Sequence, residues 1–377
     1  MYNNIQIFKG LNAMRFFAAY FVVLHHAEQI RLKYEMFNWK FFSIFNNGGF
    51  AVTFFFVLSG FLITYLLMKE IKQRKDVAVK KFYVRRILRI WPLYFLLVFI
   101  GTLAMPYLLQ VIYSQYDMPY NFHQVILYFL FFTPFMVNII FGHHLLEPLW
   151  SIGVEELFYL IWAPLVKFLK NHILAILLSV IALKILLLTF IQCSESIHPY
   201  MVKVVQMLQF EAMAIGGLAA YIIFHYKKDI SKTILFSKPV QILFFAVIFL
   251  RLMFAGILTE NTIIFRFLFN TPIFSNILFI VSFAWLIVNT SLNSHSLLQL
   301  NNKVLNFLGE ISYGIYMYHM LIIFGTVLFL KNILNSMNGM VSSAIFYVII
   351  TIGVIFISYL SKKYFEDRFL RLKEKFN

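Results

Sequence analysis

Hydrophobic positions fall in eleven long runs, near residues 13–30, 48–68, 86–108, 122–141, 149–169, 171–191, 205–225, 239–258, 272–290, 311–331 and 342–363. Runs of this kind have the length of helices that cross a hydrocarbon layer about 30 Å thick. Polar and basic residues collect between them. The pattern predicts an all-α, polytopic membrane helix bundle. The first run reads as a retained span, because no cleavage site of a secretory leader follows it.

Composition agrees with that pattern. Of 377 residues, 61% are hydrophobic and 13% charged, whereas a soluble domain is about a quarter charged. The net charge of +16 would point to nucleic acid in a soluble protein. Here the basic residues cluster between spans, as the preference for Lys and Arg on the cytoplasmic side requires, so nucleic acid is not an expected partner. Between Lys69 and Arg89 stand nine Lys or Arg and two acids, and from Ser361 to Asn377 six basic residues and three acids. The single cysteine, Cys193, excludes an internal disulfide framework and CxxC metal sites.

Charge also sets an expected topology. If all eleven runs crossed, Lys167, Lys170, Lys227, Lys228, Lys232 and Lys238 would lie on the side opposite the basic 69–85 loop. Letting 122–141 enter and leave on the outer face, with Thr133–Pro134 as a break, returns every later basic cluster inside. The expectation is therefore about ten transmembrane helices, one non-crossing segment near 122–141 (with 149–169 the alternative) and both termini cytoplasmic. No repeat or low-complexity linker divides the chain. Residues 1–377 are expected to form one membrane domain with no appended soluble domain.

Five stretches place polar groups in these apolar runs. In the first run Arg15 and His26 are eleven residues apart, which returns a helix to within about 20° of the same face over about 16 Å. His25 points about 100° away. In the third, Arg85, Arg86 and Arg89 have helical neighbour spacing and suit a bidentate phosphate clamp; the preference for basic residues on the cytoplasmic side is the plainer reason for them, as an interface anchor is for Arg15. In the fifth, Glu155 and Glu156 would each cost roughly 2.5–3.5 kcal/mol in lipid without partners or a cavity. Counted from the outer face, Glu155 lies about 8 Å deep, at a depth where it could meet His26 and orient its ring. Ser59 and Gly60 in FFFVLSGFLIT suit close helix packing. Ser312, Tyr313 and His319 in the tenth run suit a cavity wall. The adjacent His143 and His144 diverge on a helix, so no metal site is expected. Trp39, Tyr113, Tyr116 and Tyr120 in outer loops suit either sugars or the membrane interface.

Taken together the five stretches resemble the acyltransferase 3 family, bacterial integral-membrane enzymes that O-acylate glycans and other acceptors. Arg15 and His26 resemble its arginine-ten residues-histidine pattern, and Phe55 to Phe61 its FFxLSGF element. Arg86–Arg89 is similar to its RxxR. Trp150, Ser151, Val154 and Glu155 resemble W-S-x-x-V-E, and Ser312, Tyr313, Tyr316 and His319 resemble S-Y-x-x-Y-x-x-H. The likeness runs in family order from residue 10 to 320. One departure stands before FFxLSGF, where relatives often have G-V-D and this chain has Ala51, Val52 and Thr53.

The resemblance implies a stand-alone O-acyltransferase that takes an acyl group, commonly acetyl, from cytoplasmic acyl-CoA. Its expected partners are acyl-CoA, membrane lipids and a glycan or lipid-linked sugar acceptor, with acetyl-CoA as donor substrate and no metal, in the bacterial inner membrane. Arg15, Arg86 and Arg89 are expected to hold the donor's phosphates. His26 is expected as catalytic base or acyl carrier with Glu155 assisting, and Ser59, Tyr313 and His319 as substrate-lining residues. Buried Arg, Glu and His also mark proton-coupled transporters, the competing class; the absence of inverted repeats weighs against it. A non-catalytic membrane scaffold is a third class.

Overall fold

The computed structural model describes residues 2–5, 7–112, 121–129, 139, 145–194, 197–226 and 228–374. Every regular element among them is helical. In chain order these are α1 Leu11–Lys33, α2 Gly48–Arg74 and α3 Val79–Phe99, which continues through a π-helical turn, Ile100–Ala104, into α4 Met105–Ile112. Next come α5 Phe122–Phe129, α6 Leu149–Phe168, α7 Ile173–Cys193, α8 Pro199–Met207 and α9 Phe210–His225. The last third holds α10 Lys238–Asn261, α11 Ile263–Asn270, α12 Pro272–Leu292, α13 Lys303–Glu310, α14 Ser312–Asn335, α15 Gly339–Ser361 and α16 Asp367–Glu374.

Nine helical stretches among the described residues have the length and apolarity of a membrane span. The chain is thus a multi-pass membrane bundle. The 23-residue α1 is not among the nine, because Asn12, Arg15, His25, His26 and Glu28 dilute its apolar content.

The basic loops meet at one end of the bundle. Lys167 pairs with Asp76 at 3.2 Å, and Lys170 donates to the Lys75 carbonyl at 3.0 Å. Tyr2 joins the same end, accepting through its carbonyl from Tyr65 Oη at 2.8 Å and through its own Oη from the Ile230 amide at 3.1 Å. So α6 ends where α2 ends.

The chain between α4 and α6 holds the segment expected not to cross. Its Thr133–Pro134 break lies outside the described residues. In the described part, Tyr94 of α3 donates to the Tyr128 carbonyl at 2.8 Å, so α5 descends to the level of Tyr94. The start of α6 is also inside the bundle: Tyr316 Oη, one turn into α14, donates to the Pro148 carbonyl at 2.9 Å. Glu155 is consequently lower than a count from the outer face gives. That count assumed a helix beginning at the membrane surface.

Two further features were not visible as apolar runs. The 205–225 run is broken at Leu208–Gln209. Lys184 of α7 caps the break, donating to the Leu208 carbonyl at 2.6 Å and to the Val205 carbonyl. Its charge is met by Glu211 at 3.4 Å, which also accepts from Asn276 at 3.1 Å. The lysine thus supplies the donors that terminal helix carbonyls lack. The basic tail, for its part, winds into α16, which packs on α3.

The far half of α1 is held by charge. Arg31 and Glu28, both fully buried, pair at 2.6 Å. Arg31 also donates to Ser343 Oγ at 2.5 Å, while Glu28 accepts from Tyr347 Oη at 2.5 Å and from the Trp39 amide. Such a pair contributes little net stability but is costly to break, because removing one partner strands the other.

The closest helix contact joins α2 and α9. A Cβ built on Gly60 would stand 1.9 Å from the Met213 carbonyl oxygen, and one on Gly216 would stand 2.0 Å from the Val57 carbonyl oxygen. Small residues let membrane helices approach backbone to backbone, and here both members of the contact are glycine. Gly60→Val or Gly216→Val is therefore expected to destabilise the bundle by about 3 kcal/mol or more. Gly49→Ala, where a Cβ meets nothing within 4 Å, is expected to be neutral. Thermal unfolding of the purified proteins in detergent checks both.

Candidate active site

Polar groups from each of the five stretches meet at one cavity of about 380 Å³. α1 supplies Arg15, α2 Ser59, α3 Arg86 and Arg89, α6 Ser151 and Glu155, and α14 Ser312, Tyr313 and Tyr316. Each comes from a helix that also buries many apolar side chains. Placing the polar residues on inward faces is what lets a membrane helix carry them.

Helical phase explains which arginines take part. Arg85 turns away from the cavity and pairs with Glu70 at 3.4 Å, and Glu70 is tied down by the Ala78 amide at 2.9 Å. Arg86 and Arg89, one turn apart, both line the cavity. The Arg86 guanidinium lies 5.1 Å from the centre of the Tyr159 ring and 5.7 Å from that of Phe82. Arg15 donates to Asn12 Oδ1 at 3.2 Å.

Arg86 and Arg89, with Leu66, also line a second cavity of about 470 Å³ that lies toward the basic end. Lys69, Glu70, Arg74 and Arg85 complete its polar wall. The two spaces thus share a guanidinium-lined boundary. A run of cations leads from the basic end of the bundle to Arg15.

Glu155 belongs to this wall. It accepts from Tyr159 Oη, one turn on, and lies within electrostatic range of Arg15 and Arg89. A carboxylate only accepts, so the single Tyr159 proton points to Glu155. Ser59 Oγ must then donate to Tyr159. Ser59, Tyr159 and Glu155 form a short relay across α2 and α6. Tyr313 Oη donates instead to the Ile90 carbonyl at 2.9 Å, next to the Arg89 position. Glu156 is buried outside the cavity lining.

His26 stands farther along α1 and meets His319 of α14. His26 Nδ1 and His319 Nε2 are 2.9 Å apart, with ring centres at 5.0 Å. His319 Nδ1 lies 2.5 Å from the Tyr316 carbonyl. Tyr316 therefore links the two parts of the site: its side chain lines the cavity and its carbonyl holds the histidine pair. His25 turns the other way, with its Nδ1 3.2 Å from the Phe45 carbonyl, as the helical angle predicts.

The structure thus gathers Arg15, Arg86, Arg89, Glu155, Ser59 and Tyr313 around one cavity and pairs His26 with His319 beyond Tyr316. The nearest described partner of Glu155 is Tyr159. Sequence reasoning left out Tyr159 and Tyr316 as functional groups. Tyr159 is four residues after Glu155, the spacing that brings side chains together on a helix, and that signal was available. Among the described residues no group of three His, Cys, Asp or Glu gathers in a metal-binding arrangement.

Comparison with known proteins gives a coherent picture. The O-acetyltransferase OatA of Staphylococcus aureus is 27% identical over 329 residues, covering 82% of this chain and 49% of that protein. YrhL of Bacillus subtilis, provisionally named a peptidoglycan O-acetyltransferase, is 32% identical over 167 residues, or 41% of this chain and 23% of that one. An uncharacterised Haemophilus influenzae protein is 29% identical over 204 residues, or 50% of this chain and 78% of its own length. The chain thus spans about half the length of OatA, or less of YrhL. No solved structure matches it. A family model described as an acyltransferase domain matches residues 8–362. With that match running through nearly all of its length and its signature stretches folded around one cavity, the chain belongs to the acyltransferase 3 family.

Proposed function

We propose that this protein is a membrane O-acetyltransferase that moves an acetyl group from acetyl-CoA to a hydroxyl of a cell-surface glycan or its lipid-linked precursor. The observation that carries this reading is the convergence of five family-like stretches, on five helices, around one cavity with a cationic approach. The relatives named as O-acetyltransferases, one of them for peptidoglycan, support the group transferred and a glycan as acceptor. On this reading the basic end is cytoplasmic, the helices make ten crossings, both termini are inside and the protein resides in the bacterial inner membrane.

The chemistry follows from the charges. Coenzyme A has an anionic nucleotide end and a thin arm ending in the thioester. Guanidinium groups bind phosphates in charge-assisted, often bidentate, hydrogen bonds. Lys69, Arg74 and Arg85 attract the nucleotide end, while Arg86, Arg89 and Arg15 hold it along the way in. Glu155 and Tyr159 fix the geometry of that wall and offset part of its charge. From Arg15 to His26 the helix rises about 16 Å, a span that the extended arm covers.

On this reading the arm passes Tyr316, which lines the cavity, to reach His26, which acts as base. Its imidazole takes the proton of the acceptor hydroxyl as the oxygen attacks the thioester carbonyl. A carbon–oxygen bond forms, the carbon–sulfur bond breaks, and the sulfur leaves with the proton from the imidazolium. In the covalent variant the imidazole nitrogen attacks the thioester carbonyl, the carbon–sulfur bond breaks and coenzyme A leaves as the thiolate; the hydroxyl oxygen then takes the acetyl group as the carbon–nitrogen bond breaks, and its proton passes through the freed imidazole to the thiolate. Ser59 and Tyr313 line the cavity that the arm crosses, and His319 stands against His26.

Three outcomes are expected. Purified protein in detergent should release free thiol from acetyl-CoA and acetylate a soluble peptidoglycan-derived glycan, which a transporter does not do; mass spectrometry of envelope glycans with and without the gene identifies the acceptor. His26→Ala should lower kcat about 10²–10⁴-fold, and a radiolabelled acyl-enzyme seen without acceptor selects the covalent variant. Arg86→Ala and Arg89→Ala should each raise the KM for acetyl-CoA about 10–100-fold, the loss of one charge-assisted contact of about 1.5–3 kcal/mol. An unchanged KM in both would remove the arginines from donor binding.

A further inference from the structure

The histidine pair has a directionality that its bonding fixes. His319 is fully buried and His26 nearly so. His319 Nδ1 is 2.5 Å from the Tyr316 carbonyl. A carbonyl oxygen only accepts, so His319 Nδ1 carries a proton and donates. The other nitrogen of His319, Nε2, is 2.9 Å from His26 Nδ1, and one member of that contact must donate. Were Nε2 of His319 protonated as well, an imidazolium would be buried with a carbonyl and a second imidazole as the partners of its two N–H groups, which is costly. The neutral arrangement gives Nε2 of His319 a lone pair and puts a proton on Nδ1 of His26. In a neutral imidazole the hydrogen bond at one nitrogen decides which nitrogen is basic.

We propose that His319 is a positioning residue: it accepts from His26 Nδ1–H and thereby holds His26 in the tautomer whose basic nitrogen is Nε2. The anchor of the chain is the Tyr316 carbonyl. That carbonyl is itself held still, since Tyr316 Oη donates to the Pro148 carbonyl at 2.9 Å and contacts Ser151 Oγ at 2.7 Å. A fixed peptide group thus sets the protonation pattern two rings away. The arrangement differs from a carboxylate–histidine pair in one respect. A carboxylate would favour a protonated, positively charged ring, whereas a neutral imidazole partner fixes the tautomer without adding a negative charge in the membrane. The assignment rests on His26 being the base of the proposed transfer.

Two experiments separate the proposal from that reading. In nitrogen-15 NMR of histidine-labelled protein in nanodiscs, with resonances assigned by loss in His26→Ala, His26 should show a protonated Nδ1 and an unprotonated Nε2; the opposite pattern overturns the proposal whatever the variants do. In turnover of acetyl-CoA with the peptidoglycan-derived glycan, His319→Leu should lower kcat about 100-fold with little change in the KM for acetyl-CoA. His319→Gln, whose amide offers one acceptor and one donor, should keep kcat within about tenfold of the parent. Equal loss in both variants, or full kcat in His319→Leu, overturns the proposal. Full kcat in His26→Ala, with the expected nitrogen spectrum in the parent protein, would instead remove the base assignment.

Discussion

A guanidinium inside a membrane bundle has to be met by water, by an anion or by another protein group, and this constraint organises the protein. Arg15, Arg86 and Arg89 come from two helices whose remaining residues are largely apolar, and all three face one hollow. Desolvating them against lipid would cost several kcal/mol each by the lower of the available scales. The hollow avoids that cost. It also creates a place with a surplus of positive charge, relieved locally by Glu155, and so suited to a polyanionic ligand. Structure and chemistry thus share a cause.

Contacts outside the hollow hold its walls in place. α2 is pinned to α9 by the reciprocal approach of Gly60 and Gly216, which fixes one wall from behind. α6 begins within the bundle, at Tyr316, so Glu155 arrives beside the arginines. α14 contributes through Tyr313, which caps the Ile90 carbonyl, and through Tyr316, which ties the cavity to the histidine pair. The glycine contact thus bears on function without touching a reacting group.

Much of this was legible along the chain. Nine apolar runs became helices near the expected limits among the described residues, and the phase of Arg15 relative to His26 is a matter of helical geometry alone. Spacing alone grouped Arg85 with Arg86 and Arg89, and only the structure, where Glu70 holds Arg85, sets it apart. What sequence could not give was depth. Glu155 was set by counting from a membrane surface that α6 does not reach, so its neighbours are Tyr159 and the arginines. The partner of His26 was equally hidden. His319 lies 293 residues away, and periodicity within a helix carries nothing about which distant helix lies opposite. The break at Leu208 was masked because its carbonyls are satisfied by Lys184 from another helix.

The polar face of α1 has a consequence for how the protein is made. Its companions Ser343, Tyr347 and His319 follow it in the chain by 312, 319 and 293 residues. Glu28 and Arg31 pair within α1 itself, but during synthesis α1 enters the translocation machinery long before the later groups that complete their bonding and that of His26 exist. Until the last two spans emerge, that face has to be sheltered by water in the insertion channel, by a membrane chaperone or by provisional neighbours. A polypeptide that stalls before Ser312 would keep those groups exposed to lipid, a mark by which membrane proteases can single out unfinished copies.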